Sequence, residues 1–406
     1  MIIPISTNAS GLAATYSFLI YTAILLTQFQ NISLRFFEST YDFTNFIFLI
    51  AINVLILFRK QKINRYTFFI IFIFVQIILW SFIQAAPIYR LFSGLVWFGG
   101  IVAIALFSYK GMYDKNFAFK IIYISMYFLA AHILIEGIIY KVDRPSAYLD
   151  EPSFAGLLLY GWAAAILGKM TFQYVFHKKN NVTDAISLLL MLSAALLTKS
   201  MHVITFIIAA VVIFYSVGLK WRLLIQVMLL SVPLVGIFVW LFDPSHLLDR
   251  INVTDDITNV SLLSWLRGFD QAWEAASTSP FLGYGLGSTG FIPFDSQYTE
   301  TLAAFGLETM NLKDAYSGFF RLVIELGLFT TLAIIFLLQT HVRGIRLSNK
   351  NGINDYEAIV SKSLAIFGVT LLIGILIKEP GYSKSYVYLA VFLVATNWFG
   401  LAKKKI

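Results

Sequence analysis

The sequence predicts an all-α polytopic membrane protein of about twelve transmembrane helices, with one large extracytoplasmic loop that contains an amphipathic helix. Three observations carry that prediction. Of 406 residues 59% are hydrophobic and 13% charged, and the mean hydropathy is +0.77, whereas soluble domains carry about 25% charged residues. The apolar residues gather into runs of about 20, the length that crosses a hydrocarbon core. The basic residues favour alternate connections between those runs, as orientation in a bilayer requires.

Runs of spanning length lie at 12–29, 42–58, 66–85, 91–109, 120–140, 154–174, 184–199, 201–219, 223–242, 317–340, 363–378 and 385–401. Thr198 to His202 alone separate the seventh and eighth, so this pair also reads as one bent or re-entrant segment. The chain therefore divides into spans one to nine (1–242), a long loop (243–316) and spans ten to twelve (317–406). Nineteen of the 30 basic residues fall on one set of connections. These include Arg59, Lys60, Lys115, Lys179, Arg346, Lys362 and the tail Lys403–Lys405. That side is assigned to the cytoplasm, with both termini on it. The other eleven, among them Arg35, Arg90, Arg144, Lys199 and Lys378, fall on the outer side.

The loop at 243–316 is far longer than an ordinary helix–helix link, and such loops carry function. Within it Leu262, Leu266, Phe269 and Trp273 share one helical face, with Arg267, Asp270 and Glu274 opposite; the spacing predicts an amphipathic helix whose apolar face rests on the bilayer or on the helix bundle. The run Pro280-Phe281-Leu282-Gly283-Tyr284-Gly285-Leu286-Gly287 ends it, because glycine permits positive φ and close backbone approach.

Several function classes fall away. The net charge of +8 comes from short clusters between apolar runs, which orient a membrane protein rather than bind nucleic acid. Zero cysteines exclude disulfides, thiolate metal sites and thiol nucleophiles. The start Met1-Ile2-Ile3-Pro4 lacks a basic stretch, so a retained first span is expected rather than a cleaved signal. The five histidines are scattered and no His-Glu-x-x-His or Walker spacing occurs, so no metal or other cofactor is expected.

Polar groups at membrane depth are costly and call for a reason. His132 and Glu136 lie in the fifth span, His202 at the outer mouth of the eighth, and Arg321 and Glu325 four apart in the tenth. The last two fit a helix-steadying i,i+4 pair. They also fit a site, because Arg144, Arg250 and Arg267 fall on the same outer side. Guanidinium binds phosphate bidentately and keeps its charge when half buried. Arginines beside apolar helices therefore suit a ligand with an anionic head and an apolar tail, such as a lipid-linked diphosphate. Glu151 precedes Pro152 and Ser153 at the start of the sixth span, where a carboxylate caps the helix or takes a proton from a sugar hydroxyl. His202 is the rival base.

Four stretches carry a resemblance: Glu151-Pro152-Ser153-Phe154-Ala155-Gly156; Leu197-Thr198-Lys199-Ser200; Arg267 through Trp273 to the glycine run; and Ser317-Gly318-Phe319-Phe320-Arg321 to Glu325-Leu326-Gly327. In order and spacing, over about the middle half of the chain, this pattern resembles the Wzy-type polymerases of O-antigens and exopolysaccharides, within the O-antigen ligase-like family. The resemblance implies a membrane glycosyltransferase (GT-C-like) architecture in the bacterial inner membrane, with the active site facing the periplasm. It further implies undecaprenyl-diphosphate-linked oligosaccharide as donor and acceptor, arginines on the diphosphate, inverting metal-independent transfer, and a chain-length regulator as a possible protein partner. Ligase-like members place a His-Asn pair where this chain has Tyr316-Ser317, and the Glu-Pro-Ser start leans toward polymerase. Arg267 and Arg321 are the first expectation for the diphosphate, with Arg250 and Arg144 second; Glu151 is the expected base and His202 its substitute. The alternatives are a flippase for the same lipid-linked sugar, whose need for access from both faces sits poorly with the long loop, an O-antigen ligase, and an acyltransferase, which lacks its catalytic pair here.

Overall fold

The computed structural model describes residues 9–27, 33–36, 39–58, 65–84, 87–107, 113–149, 151–177, 181–200, 202–217, 260–292, 294, 296–310, 312, 315–333, 335–336, 356–378 and 384–402. Helices α1 (Ala9–Leu26), α2 (Phe43–Phe58), α3 (Arg65–Ile83), α4 (Ile88–Phe107), α5 (Lys115–Leu134), α6 (Pro152–His177), α7 (Val182–Leu197) and α8 (Val203–Val217) follow the first eight apolar runs within a few residues. The loop supplies α9 (Val260–Thr278) and α10 (Gln297–Ala304), and the last part of the chain α11 (Gly318–Leu326), α12 (Tyr356–Ile377) and α13 (Ser385–Ala402). Among the described residues, four helical segments are long and apolar enough to cross a membrane: Ile88–Leu106, Lys115–Ile139, Pro152–Tyr174 and Tyr356–Ile377. The ninth run, 223–242, lies outside the described residues.

Some elements depart from the sequence reading. Residues 33–42, read as a connection, carry strands β1 (Ser33–Phe36) and β2 (Ser39–Asp42), antiparallel with Ser33 opposite Asp42 and Phe36 opposite Ser39. The run at 317–340 is not one continuous helix: α11 stops at Gly327, where φ is +84°, and 328–333 is helical again. The cause is a docked neighbour, since a Cβ at Gly327 would stand 2.6 Å from the carbonyl carbon of Phe281. Thr198 to Ser200 leave the helix at the end of the seventh run, so the seventh and eighth runs form two helices. Thr198 Oγ1 donates to the Ala195 carbonyl, competing with the helix for that acceptor, and Lys199 has φ +50°.

Helices α6 and α12 form the middle of the bundle, with 83% of each apolar window buried against 33% for α4. Small residues make this close approach possible: a Cβ at Gly161 would meet the Phe367 ring at 3.0 Å, and one at Gly368 the Ala390 carbonyl oxygen at 2.9 Å. The loop docks on one end of the bundle. Trp265 Nε1 donates to the Ile377 carbonyl at the end of α12. Trp80 Nε1 in α3 donates to the Gly283 carbonyl, and Leu286 N–H donates to Ser81 Oγ. We call this the loop end. At the opposite end Lys169 Nζ in α6 sits 2.8 Å from Asp184 Oδ1 in α7, with both side chains buried, and Lys115 Nζ donates to Ser361 Oγ at 2.9 Å. Lys362, read as part of a cytoplasmic connection, is instead buried inside α12 with its ammonium 5.0 Å from the Phe172 ring centroid.

Candidate functional site

The loop end gathers all four stretches that carry the resemblance. Pro152 opens α6 at a position where its missing N–H is no loss. The Glu151 carbonyl accepts from Phe154 N–H, and its exposed carboxylate accepts from Ser153 Oγ at 3.0 Å. One turn on, a Cβ at Gly156 would come 2.5 Å from Ser200 Cβ, so the start of α6 is packed against the break between α7 and α8.

His202 follows that break and is 1% exposed, with Nδ1 3.3 Å from Thr205 Oγ1. It faces α12, because a Cβ at Gly374 would stand 3.3 Å from the same nitrogen. Arg144 lies in the segment 140–149, held against the same break by Lys199 Nζ to Asp143 Oδ1 at 2.7 Å. The Glu136 carboxylate also pins this segment, accepting from the backbone N–H groups of Ser146 and Ala147 at 3.2 and 2.9 Å. Arg144 Nε is buried without a hydrogen-bond partner. In the same segment, burial pushes the Tyr148 phenol up to about 12, so it stays protonated at neutral pH.

Arg321 and Glu325 form the buried centre of the other half of this end. Nε donates to Oε1 at 3.0 Å, with the arginine side chain 12% exposed and the glutamate 0%. Thr289 Oγ1 donates to the same carboxylate oxygen at 2.9 Å. The glycine run brings Thr289 there: Tyr284 and Gly285 N–H donate to the carbonyls of Ile324 and Glu325. Gly287, at φ +78°, lies so near α4 that a Cβ would stand 2.7 Å from the Arg90 carbonyl oxygen. The Arg90 guanidinium then lies 5.7 Å from the Phe291 ring centroid. Ser317 caps α11 and donates to the Leu376 carbonyl of α12 at 2.6 Å, tying Arg321 to the helix that His202 faces.

Arg267 sits on the buried face of α9, 1% exposed. Its terminal nitrogens donate to the carbonyls of Glu308, at 2.6 Å, and Met310. Burial pushes its guanidinium below its ordinary value, which leaves it charged at any physiological pH. The face of α9 is the reverse of one expectation. Leu263, Ser264, Arg267, Gly268, Gln271, Ala272 and Ala275 are buried, with Arg267 and Gly268 against Glu308, Met310 and Ala315 of the loop and Ala272 and Ala275 in the cluster with Phe320 and Val323 of α11. Phe269 and Trp273 are 44% and 70% exposed. Gly268 decides it, since a Cβ there would stand 2.3 Å from the Ala315 carbonyl oxygen.

Arg144, Glu151 and His202 thus lie on segments packed around one break, and Arg321 and Arg267 on the neighbouring α9–α11 pair, where they make separate contacts. Arg250 lies outside the described residues. Thr289 had no signal in the sequence, and Arg90 only its charge. Among the described residues no three His, Asp or Glu side chains gather closely enough to hold a metal ion. Comparison of the sequence with family models and with curated proteins finds no match to either.

Proposed function

We propose that the protein is a membrane glycosyltransferase of the oligosaccharide-polymerase kind. It transfers a growing glycan from undecaprenyl diphosphate to the sugar of another lipid-linked repeat unit, on the outer face of a bacterial inner membrane. The observation that supports the reading is the gathering, at one end of a largely apolar bundle, of the α6 start with Glu151, the break with His202, the glycine run and the Arg321–Glu325 pair.

In this reading the acceptor hydroxyl attacks the anomeric carbon from behind and the carbon–oxygen bond to diphosphate breaks, the electron pair leaving with the diphosphate. Glu151, exposed at the mouth, takes the hydroxyl proton; His202 is the substitute. Arg321 neutralises charge on the departing diphosphate, with its plane set by Glu325. Arg267 assists only if the ligand competes with the Glu308 and Met310 carbonyls, and Arg144 brings a guanidinium whose Nε is unpaired. Purified protein incubated with lipid-linked oligosaccharide should yield products longer by whole repeat units; unchanged substrate would count against the reading. One observation favours the flippase instead: the buried Lys169–Asp184 pair at the opposite end, since ionisable residues within a membrane mark transport paths. Movement of a fluorescent lipid-linked sugar across vesicles without lengthening would support it.

A further inference from the structure

Helix α9 carries an aromatic row that is anchored on α12 at Trp265 and opens toward Trp273. Trp265, Phe269 and Trp273 stand at i, i+4 and i+8. The first two ring planes lie within 12° of each other and the second two within 18°, with centroids 6.2 and 6.4 Å apart. Carbon atoms in contact sit about 3.5–4 Å apart, so rings with this separation are offset and each leaves part of its face uncovered. Phe320 of α11 backs the row edge-on, 5.0 Å from Trp265 and 6.0 Å from Phe269. Exposure rises along the row, to 44% at Phe269 and 70% at Trp273.

An open aromatic row at the end of a membrane bundle invites lipid, but the charge around it argues otherwise. Helices that lie on membrane surfaces carry lysine and arginine on the polar face. Among the described loop residues, 260–312, Asp270, Glu274, Glu300 and Glu308 stand against one basic residue, Arg267, and that arginine is buried on the opposite side of α9. Such a surface is repelled by anionic headgroups. A sugar ring fits both features, because its C–H face bears partial positive charge that meets the negative face of an aromatic ring, while the carboxylate of Asp270, the residue after Phe269 at the edge of the row, accepts its hydroxyls. Asp270 already does so with a hydroxyl, its Oδ2 accepting from Ser296 Oγ at 2.8 Å.

We propose that Trp265, Phe269 and Trp273 form a saccharide platform along which the glycan handled by this protein lies. The choice of glycan rests on the polymerase reading. The test is equilibrium binding, without any donor, of the soluble oligosaccharide freed by mild acid from the lipid-linked fraction of the cells that make the protein. Trp273→Ala and Phe269→Ala should each weaken binding about ten-fold, and Trp273→Tyr, which keeps a ring, by no more than about three-fold. Trp273 is open, so folded yield should not change on its replacement, and Phe269→Ala, which also loses the contact with Phe320, is read alongside its folded yield. The chain has no cysteine, so a spin label on Ser277→Cys, an exposed position one turn beyond Trp273, reports the surroundings. The label should meet an aqueous nickel complex more readily than oxygen, and the oligosaccharide should shield it. Wild-type binding by Trp273→Ala, or a label reached mainly by oxygen and indifferent to sugar, would overturn the platform. The two readings fail separately. Binding that depends on Trp273 in a protein that makes no longer products keeps the platform and removes the polymerase, while lengthening together with unaltered Trp273→Ala binding does the reverse.

Discussion

Arg321→Ala removes one partner of an ion pair whose carboxylate is fully buried. Breaking a buried pair from one side costs about 3–5 kcal/mol. The 12% exposure of Arg321 and the Thr289 hydrogen bond that Glu325 retains place this case at the lower end, about 3 kcal/mol. Adding Glu325→Gln removes the stranded charge and should return about 2 kcal/mol of that loss. Catalysis should not follow, because a donor lost from a departing anion is worth about 3 kcal/mol in the transition state, roughly a hundred-fold in rate. Arg321→Lys keeps the charge without the planar fork and should also be strongly impaired. The assay pairs unfolding midpoint and folded yield with the rate of glycan extension for Arg321→Ala, Glu325→Gln and the double variant. A double variant that regains both stability and extension would refute the reasoning and leave Arg321–Glu325 as a helix-steadying pair.

Three further outcomes are expected. Impermeant maleimide added outside cells should label Ser277→Cys but not Val182→Cys, both exposed on the protein and at opposite ends of the fold; the reverse pattern would invert the orientation drawn from the basic residues. Lys169→Met should lower stability by about 3 kcal/mol by stranding Asp184, and Lys169→Met with Asp184→Leu should restore most of it; equal stability of the single variant and the wild type in thermal unfolding would show the pair carries no weight. Arg267→Ala should free the 308–310 segment, read as new protease cleavage there, whereas an intact segment with slower extension would assign Arg267 to the ligand instead.

The positions of α1 to α8, α12 and α13 were legible because apolar runs of spanning length have few other uses in a chain with 13% charged residues. What escaped depends on partners distant in sequence. The stop at Gly327 is set by Phe281, and no local pattern announces that contact. On α9 the periodicity of Leu262, Leu266, Phe269 and Trp273 defines one face, but which face packs on α11 and the loop is decided by Gly268 and two small residues, Ala272 and Ala275. The charged candidates were legible as types and not as partnerships. Arg321 and Glu325 were visible at helical spacing, whereas Thr289 joins them only through the fold of the glycine run. The Lys169–Asp184 pair had no local signal, because Lys169 lies two turns inside α6 and its partner stands on the next helix.

In the proposed reaction a glycosidic bond forms at the loop end as undecaprenyl diphosphate leaves. The direct measurement is the amount of undecaprenyl diphosphate freed by purified protein in vesicles supplied with lipid-linked oligosaccharide and excess chelator, compared with the number of new glycosidic bonds in the product. One undecaprenyl diphosphate should be freed for each bond made, with the ratio unchanged by chelator and both quantities falling together in Glu151→Gln. Lipid-linked sugar that crosses the bilayer with no undecaprenyl diphosphate released would contradict it.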